Sequence, residues 1–240
     1  MLTRLSEDNL DARDLGEVIR QEIIPPKDFR FMRHYDLRSI EKIAGHWIDL
    51  LLSPFGLPQG KSGERTSAID GAILILNNIF LRFNDFLAWE WIEICAEGNA
   101  TKNHKFDGVL TTRVNPKKSI MLVEFAGGFG CSNKAKLKDD TLKAYRNALR
   151  LLDPQQNQAV FVVLSWGREV HFETLKIIDN NQIVRTQQAK IIIPCSPEGI
   201  KAAMLEMEKV FGWRDTVVKY VKEPMTDSPN VEVPKTPNTP

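Results

Sequence analysis

Residues 105–128 read KFDGVLTTRVNPKKSIMLVEFAGG, and they decide the fold of this chain. Two short runs rich in apolar and β-branched residues stand on either side of the turn sequence NPKK at 115–118. This pattern predicts two antiparallel strands joined in a hairpin. Each strand carries one acidic residue, Asp107 in the first and Glu124 in the second. We therefore expect the hairpin to bring two carboxylates side by side.

The segments next to the hairpin extend this pattern. Residues 88–97, AWEWIEICAE, alternate large apolar and acidic side chains, which predicts a strand before the hairpin. Residues 136–153 predict a helix, and the apolar run AVFVVLSW at 159–166 predicts a strand covered on both faces. The strands before and after this helix should be parallel, joined by a right-handed crossover. The apolar side of the helix is expected to consist of Leu137, Leu142, Tyr145, Leu149 and Leu152.

The outer segments complete a mixed α/β domain. Two further strands are predicted at 170–178 and 182–194, followed by a closing helix that begins at Pro197. Upstream, apolar residues at three- and four-residue steps predict one helix over 35–52, and capping residues predict a second helix from Thr66 or Ser67 to about residue 86. The expected order is two helices, a meander of three antiparallel strands, a crossover helix, three strands and a helix.

Composition indicates one folded domain with two polar ends. The 240 residues are 42% hydrophobic and 26% charged, which excludes collagen-like, largely disordered and disulfide-scaffold classes. We expect a polar arm over residues 1–30, a single domain over 31–222 and a disordered tail over 223–240, since the tail holds five prolines and few large apolar groups.

Charge and cysteine content favour an intracellular protein. The formal net charge is only +1, so contact with nucleic acid would need a local basic patch. Three widely spaced cysteines form no metal-ligand pattern, and the charged N-terminus lacks the apolar run of a signal peptide. The most apolar stretch, residues 72–83, is interrupted by Asn77, Asn78 and Arg82, so we expect a buried helix and no membrane span.

The predicted carboxylate pair suggests a magnesium site. Mg²⁺ takes oxygen ligands and keeps several waters, so Asp107, Glu124 and a substrate phosphate would form a plausible coordination shell. Glu124 also stands at the end of an apolar strand, where a charge calls for a reason. The spacing alone fits equally well with two acids that cap strand ends or bind nearby lysines.

The sequence around the pair is basic. Residues 100–150 hold eleven lysines and arginines against four acids, a local charge of about +7. Such an excess suits a surface that meets the phosphate backbone of DNA or RNA, although solvated lysines on turns are the commoner explanation.

These residues resemble the PD-(D/E)XK superfamily, the restriction-endonuclease-like fold. The resemblance lies in Asp107 followed by Glu124 on successive strands, with a helix after them, and it spans roughly residues 66–166. It implies a Mg²⁺-dependent nuclease core. Tyr145 matches a helical tyrosine of the RecB-like branch, where it would orient the site, whereas Thr141 stands where that branch has Gln. Over most of its length the chain is also similar to uncharacterised, multi-copy proteins of Mucor- and Rhizopus-type moulds.

One residue departs from the superfamily pattern. The lysine expected two positions after the second acid, which would stabilise developing negative charge, is Ala126 here. The loop glycines at 127, 128 and 130 would let a substitute approach, and the candidate lysines are Lys134, Lys136 and Lys138. The superfamily's helical acid has two candidates, Glu64 and Asp70.

Two hypotheses therefore follow from the sequence. In the first, the chain engages DNA or RNA as a Mg²⁺-dependent phosphodiester hydrolase with a non-standard lysine. In the second, it is a catalytically inactive member of the same fold that binds nucleic acid or protein through the basic segment 100–150. Ala126 favours the second hypothesis. The sequence predicts neither the choice between DNA and RNA nor the oligomeric state.

Overall fold

A computed structural model describes residues 11–20, 27–53, 62–96, 104–113, 117–153, 158–178 and 182–223. The helices of this part are α1 (Ala12–Arg20), α2 (Tyr35–Leu52), α3 (Glu64–Phe83), α4 (Lys134–Leu151) and α5 (Pro197–Lys222). Its strands are β1 (Leu87–Cys95), β2 (Lys105–Thr112), β3 (Ser119–Phe125), β4 (Ala159–Trp166), β5 (Glu169–Ile178) and β6 (Gln182–Ile192).

The six strands form one mixed sheet in sequence order from β1 to β6. Strands β1, β2 and β3 are antiparallel neighbours, β3 pairs in parallel with β4, and β4, β5 and β6 are again antiparallel. Helix α4 connects the parallel pair. The predicted mixed α/β class, the three-strand meander and the parallel crossover are therefore confirmed.

The sheet is covered on both faces. One face packs against α1, α2, α3 and α5 in the larger core, which contains Trp47, Phe80 and Trp213. The other face packs against α4 in a smaller core that contains Val109, Leu122 and residues of β4. Burying one large apolar side chain stabilises a fold by about 1.5–3 kcal/mol, so the larger core contributes most of the stability.

Helix α3 begins at Glu64, two residues before Thr66, the earlier of its two predicted starts. It ends at Phe83, three residues before the predicted end near residue 86. Its middle, Ile69–Ile73, has π-helical hydrogen bonding, and its last turn, Leu81–Phe83, is a 3₁₀ helix. By length and composition alone α3 is apolar enough to cross a membrane, but half of it is buried inside the fold. Its Ile75, Ile79 and Phe80 lie in the larger core, as expected of a buried helix.

The predicted polar arm contains a packed helix. Within residues 1–30, α1 buries Leu15 and Ile19 in the larger core, with Val18 partly buried beside them. The spacing of these three residues places them on one side of a short helix. The arm is polar in overall composition, so this apolar stripe was not recognised in the sequence. Residues 224–240 of the predicted C-terminal tail lie outside the described residues, as do Asn115 and Pro116 of the NPKK turn.

The buried side of α4 differs from the prediction. Leu142 and Leu149 are 40% and 43% exposed, whereas Ala144, Ala148 and Leu151 are buried. Alanines suit this position because a small side chain lets the helix backbone approach β3 and β4 closely. The leucines instead lie on the flank of the helix.

Candidate active site

Asp107 and Glu124 lie side by side on neighbouring strands. Gly108 of β2 pairs with Val123 of β3, and continuing this antiparallel register by one residue places Asp107 next to Glu124. The backbone N–H of Phe125 donates a hydrogen bond of 2.7 Å to Asp107 Oδ2, which fixes one carboxylate against the end of β3. Successive side chains of β3 lie on opposite faces of the sheet and so in different cores. Leu122, two residues from Glu124 and on the same face, lies in the smaller core beside α4. The pair therefore lies under α4.

Burial perturbs both carboxyl groups. Glu124 is only 4% exposed, and this desolvation raises its pKa to about 7 against the hydrogen bond from Lys143, which lowers it. Burial likewise raises the pKa of Asp107, with the hydrogen bond from Phe125 acting in the opposite direction. The carboxylate of Asp107 also raises the pKa of Glu124, and those of Glu64 and Asp140 raise the pKa of Asp107, because like charges at close range disfavour joint ionisation.

Helix α4 supplies the positive charge at this pair. Lys143 Nζ donates a hydrogen bond to Glu124 Oε1. The other oxygen, Glu124 Oε2, is buried and has no hydrogen-bond partner among the described residues. A buried acceptor without a partner destabilises a fold by about 1–3 kcal/mol. The carboxylate of Glu124 thus keeps one oxygen available for a ligand.

A second acid–lysine group lies on the same side of α4. Lys136, Asp140 and Lys143 follow one another at four- and three-residue steps, which places them on one helix face. Lys136 contacts Glu64 at the start of α3 and lies 4.0 Å from Asp140 Oδ2. Asp140 Oδ2 is buried and makes no hydrogen bond with any described residue, and burial raises the pKa of Asp140.

The glycine loop after β3 brings Glu64 to this group. A Cβ atom on Gly128 would lie 2.0 Å from the carbonyl oxygen of Ser62, so only glycine permits this close approach of the two backbones. Ser67 Oγ accepts a hydrogen bond of 2.8 Å from the N–H of Phe129, which fixes the same contact. Of the two candidate helical acids, the structure therefore places Glu64 near the site. Asp70 instead lies 3.0 Å from His46 Nε2.

A β-bulge in the edge strand β1 stands opposite Asp107. Trp91 pairs with Gly108 and Ile94 pairs with Phe106, so Ile92 and Glu93 together face the single position of Asp107. Both have positive φ, 68° and 56°, which is rare for a β-branched residue such as isoleucine. Bulges of this kind re-aim side chains. Here Glu93 binds Lys105 at 2.9 Å and Arg65 at 3.6 Å.

The predicted lysines and Tyr145 lie apart from the carboxylate pair. Lys134 and Lys138 are exposed, and among the described contacts neither touches Asp107 or Glu124. Lys136 contacts Glu64 rather than the pair. Tyr145 donates a hydrogen bond of 2.6 Å to Glu173 Oε2 on β5. The structure therefore brings together Asp107, Glu124 and Lys143.

Sequence reasoning missed Lys143. Ala126, at the superfamily's lysine position, is buried, and its N–H donates to the carbonyl of Ser165 at 2.8 Å. The site's ammonium group therefore comes from the third turn of the next helix. The available signal was the seven-residue spacing between Lys136 and Lys143, which places both on one helix face.

The carboxylates fit a hard cation with few protein ligands. Among the described residues, no group of three or more His, Cys, Asp or Glu side chains is arranged to hold a metal ion. Mg²⁺, however, commonly binds one or two carboxylates and keeps waters or substrate phosphate as its other ligands. The unpartnered Glu124 Oε2 beside Asp107 is an oxygen donor of the required kind.

Part of the basic segment 100–150 is neutralised by ion pairs. Lys105 binds Glu93, Lys117 binds Glu90, and Lys143 binds Glu124. The exposed side of α4 still carries Lys138 and Arg146, whose side chains lie in solvent. Lys102 lies outside the described residues. The positive surface is thus smaller than the sequence count indicates.

Comparison with known proteins leaves the family open. The chain matches no protein-family model, and no curated protein is significantly similar to it. One solved structure, described as the cryo-EM structure of the DrdV–DNA complex, is similar over 78% of this chain, with 10% identity and a TM-score of 0.39. This chain spans 14% of the length of that neighbour. Membership of the PD-(D/E)XK superfamily stays a prediction, and the resemblance to fungal proteins gains no support.

Proposed function

We propose that this protein is a Mg²⁺-dependent phosphodiester hydrolase that acts on nucleic acid. Asp107 and Glu124 would hold the metal. Lys143 would supply the ammonium group that is absent at position 126, where this chain has alanine and the superfamily has lysine. One observation carries the proposal. Buried Glu124 gives one oxygen to Lys143 and keeps the other without a partner, next to a second buried carboxylate.

The charge balance of the site supports a bound cation. Four carboxylates, those of Glu64, Asp107, Glu124 and Asp140, interact with two ammonium groups among the described residues, those of Lys136 and Lys143. Fully ionised, these groups carry four negative and two positive charges. Burial makes such an excess unfavourable, as the raised pKa values of Asp107, Glu124 and Asp140 indicate. A divalent cation would neutralise it.

Each residue has a definite task in this proposal. Bound Mg²⁺ would polarise a phosphodiester and lower the pKa of a water molecule. Asp107 is oriented by the N–H of Phe125, so its carboxylate stays directed toward Glu124. The ammonium of Lys143 holds Glu124 in place and stabilises negative charge that develops on the phosphate. Glu64 and Asp140 hold Lys136 beside this centre.

The surface around the site suits a polyanion. Lys138 and Arg146 are exposed on α4, the helix that supplies Lys143. Neutralising phosphates with such residues releases counterions, so binding should weaken as salt increases. The two nucleic acids differ at the 2′-hydroxyl, and the site geometry favours neither.

The test is cleavage of end-labelled single- and double-stranded DNA and RNA with Mg²⁺ or Mn²⁺. The wild type is compared with Glu124→Gln and with Asp139→Asn, which removes an exposed acid one residue from Asp140. We expect metal-dependent cutting that Glu124→Gln abolishes and Asp139→Asn retains. Metal-dependent cutting that persists in purified Glu124→Gln would contradict the proposed ligand.

A second candidate function is binding without hydrolysis. Ala126 favours it, because a buried methyl group stands where the superfamily has its catalytic lysine. This candidate predicts salt-sensitive retention of nucleic acid with no cutting in Mg²⁺ or Mn²⁺. It also predicts that Glu124→Gln leaves the binding constant unchanged. The same cleavage and binding assays therefore separate the two functions.

A further inference from the structure

A cavity of about 530 Å³ lies between strand β6 and the first half of helix α5. Its size falls in the range of small-molecule sites in proteins. The turn between β4 and β5 forms part of its wall, and Gly167 in this turn donates a hydrogen bond of 3.2 Å to Gly127, three residues after Glu124. The cavity therefore opens along the same end of the sheet as the carboxylate pair, at the carboxyl ends of the parallel strands β3 and β4. Ligands of α/β sheets commonly bind at this end.

The lining of the cavity is positively charged. Arg168, Lys190 and Lys209 line it together with one acid, Glu206. Glu206 binds Lys209 through both oxygens at 2.8 Å. Lys190 lies 3.5 Å from Glu169, which is closer to His171. Arg168 is partly exposed, and its guanidinium makes no ion pair or side-chain hydrogen bond with the described residues. A guanidinium without a carboxylate favours an anionic ligand, above all one with the geometry of a phosphate.

Part of the cavity lining is apolar. It consists of Ala202 and Ala203 of α5, Ala189 and Ile192 of β6, and Pro194. Ile192 is 46% exposed, so part of this apolar lining is open to a ligand. Three of these five side chains are alanines, whose small size leaves room for a planar ring. Burial of a ring against this lining is favourable because it removes apolar area from water.

Gln188 places a hydrogen-bond acceptor in the same cavity. Phe172 pairs with Ala189 and Glu173 with Gln187, so Gln188 is the extra residue of a bulge in β6. Its Nε2 donates to Thr174 Oγ1 at 2.8 Å, while its Oε1 is buried and has no hydrogen-bond partner among the described residues. A buried amide oxygen of this kind requires an N–H donor. The cavity therefore joins an anion-binding group, an apolar lining and a hydrogen-bond acceptor.

We propose that this cavity binds a nucleotide, with its phosphate on Arg168, its base against the apolar part of the lining and an N–H of the base donating to Gln188. The nucleotide is either free or the terminal unit of a nucleic-acid strand, and both share this chemistry. The site is separate from Asp107 and Glu124 and involves no metal. It therefore goes beyond the proposed hydrolysis and does not depend on it.

The test is isothermal titration calorimetry of the full chain with adenosine and cytidine 5′-monophosphates in a buffer that contains a chelator. Inorganic phosphate and ribose 5-phosphate serve as the matched anions that lack a base. We expect each nucleotide to bind at least about tenfold more tightly than ribose 5-phosphate, since only the nucleotide buries a ring. Equal affinity for all phosphates, or no binding of nucleotides to the folded protein, would overturn the proposal.

Two variants probe the cavity from different sides. Arg168→Ala should weaken nucleotide binding by at least about tenfold, because it removes a charge-assisted hydrogen bond. Ala202→Leu fills the cavity from the α5 wall and should abolish binding without loss of a charge. Lys219→Ala, which removes an exposed lysine in the last turn of α5, should leave the affinity unchanged. Unaltered binding in a folded Ala202→Leu variant would show that the cavity is not the site.

Two further arms identify the source and separate this site from the hydrolytic site. Competition between adenosine 5′-monophosphate and a short 5′-phosphorylated oligonucleotide distinguishes a free nucleotide from a strand end, since the source that binds more tightly displaces the other. Glu124→Gln should keep the wild-type nucleotide affinity in chelator. A loss of nucleotide binding in Glu124→Gln would contradict a separate site, whatever the outcome of the cleavage assay.

Discussion

Two buried glutamates under helix α4 are satisfied to different degrees. Glu173 on β5 is fully buried, and both of its oxygens are bound, by Arg185 at 2.6 and 2.8 Å and by the Tyr145 hydroxyl at 2.6 Å. Glu124 on β3 is almost as deeply buried, yet one of its oxygens has no hydrogen bond to any described residue. Both glutamates lie opposite residues of the smaller core, Glu173 opposite Val162 and Glu124 opposite Leu164.

The difference separates a carboxylate that supports the fold from one that is available to a ligand. Glu173 joins α4, β5 and β6 through its contacts with Tyr145 and Arg185, and Arg185 also stacks over the Tyr145 ring at 4.7 Å. Glu124 keeps an unsatisfied oxygen whose burial is unfavourable unless something binds it. Tyr145, which the resemblance to the superfamily assigns to the site, instead donates its hydrogen bond to Glu173, the carboxylate that supports the fold.

The largest effect should come from Glu173. Glu173→Ala removes a fully buried carboxylate and leaves the Tyr145 hydroxyl without its acceptor. We expect the free energy of unfolding to fall by about 3 kcal/mol, the low end for a broken buried pair, because Arg185 is half exposed and can turn to water. Urea unfolding followed by circular dichroism measures this change. A loss below about 1 kcal/mol would show that the group does not stabilise the fold.

Replacement of Lys143 should lower activity. Lys143→Ala removes the ammonium group at Glu124, so we expect the cleavage rate to fall by about 10²-fold, as for other groups that stabilise transition-state charge. Lys219→Ala is the control, an exposed lysine in the last turn of α5, and should keep the wild-type rate. Steady-state rates in Mg²⁺ measure both. Equal rates for the two variants would remove Lys143 from the mechanism.

The stability of the metal-free protein should depend on pH through Glu124. Burial raises the pKa of Glu124 from 4.5 to about 7 in the folded state, so folding favours its protonated form. This stabilisation is fully present below about pH 4.5 and is lost as pH rises through 7. Glu124→Gln does not ionise, so its stability relative to the wild type should increase by about 2 kcal/mol between pH 5 and pH 8.

The measurement is urea unfolding of wild type and Glu124→Gln across this pH range in a chelating buffer. A difference in stability between the two proteins that stays constant from pH 5 to pH 8 would contradict the raised pKa of Glu124. The variant also loses the Lys143 contact. This loss changes its stability at pH 5 and at pH 8 alike, so it does not alter the expected dependence of the stability difference on pH.

The smallest effect should come from the bulge opposite Asp107. Glu93 binds Lys105 and Arg65, which flank Asp107 and Glu64 in sequence. Exposed ion pairs of this kind contribute little to stability. Glu93→Gln should therefore leave unfolding unchanged but free two cations, raising nucleic-acid affinity by about threefold and steepening its salt dependence. Fluorescence anisotropy at several salt concentrations measures both, and an unchanged salt slope would exclude a role of these cations.

Local patterns were enough to predict the fold and the carboxylate pair. The change from helical to strand periodicity near residue 87 defined the meander, and Asp107 and Glu124 are joined by a single hairpin. Their placement needed no long-range information. The short helix α1 was not predicted, because its two buried residues, Leu15 and Ile19, lie in a segment that is polar in overall composition.

The lysine at the site depends on tertiary packing. Which side of α4 faces the sheet is decided by how closely its backbone approaches β3 and β4, and Ala144 and Ala148 allow that approach. The prediction instead placed Leu142 and Leu149 inward, which was wrong. Proximity along the chain then favoured lysines near the glycine loop, while the rotation of the helix places Lys143 on Glu124.

The most direct test of the contrast is binding of Mn²⁺, which substitutes for Mg²⁺, followed by electron paramagnetic resonance. Wild type, Glu124→Gln and Glu173→Gln are titrated after circular dichroism has verified that each is folded. Saturable binding in wild type and in Glu173→Gln, lost in Glu124→Gln, is the result expected for a cation site at Asp107 and Glu124. Equal binding in wild type and Glu124→Gln, or no saturable binding in wild type, would contradict the assignment of this carboxylate to a metal.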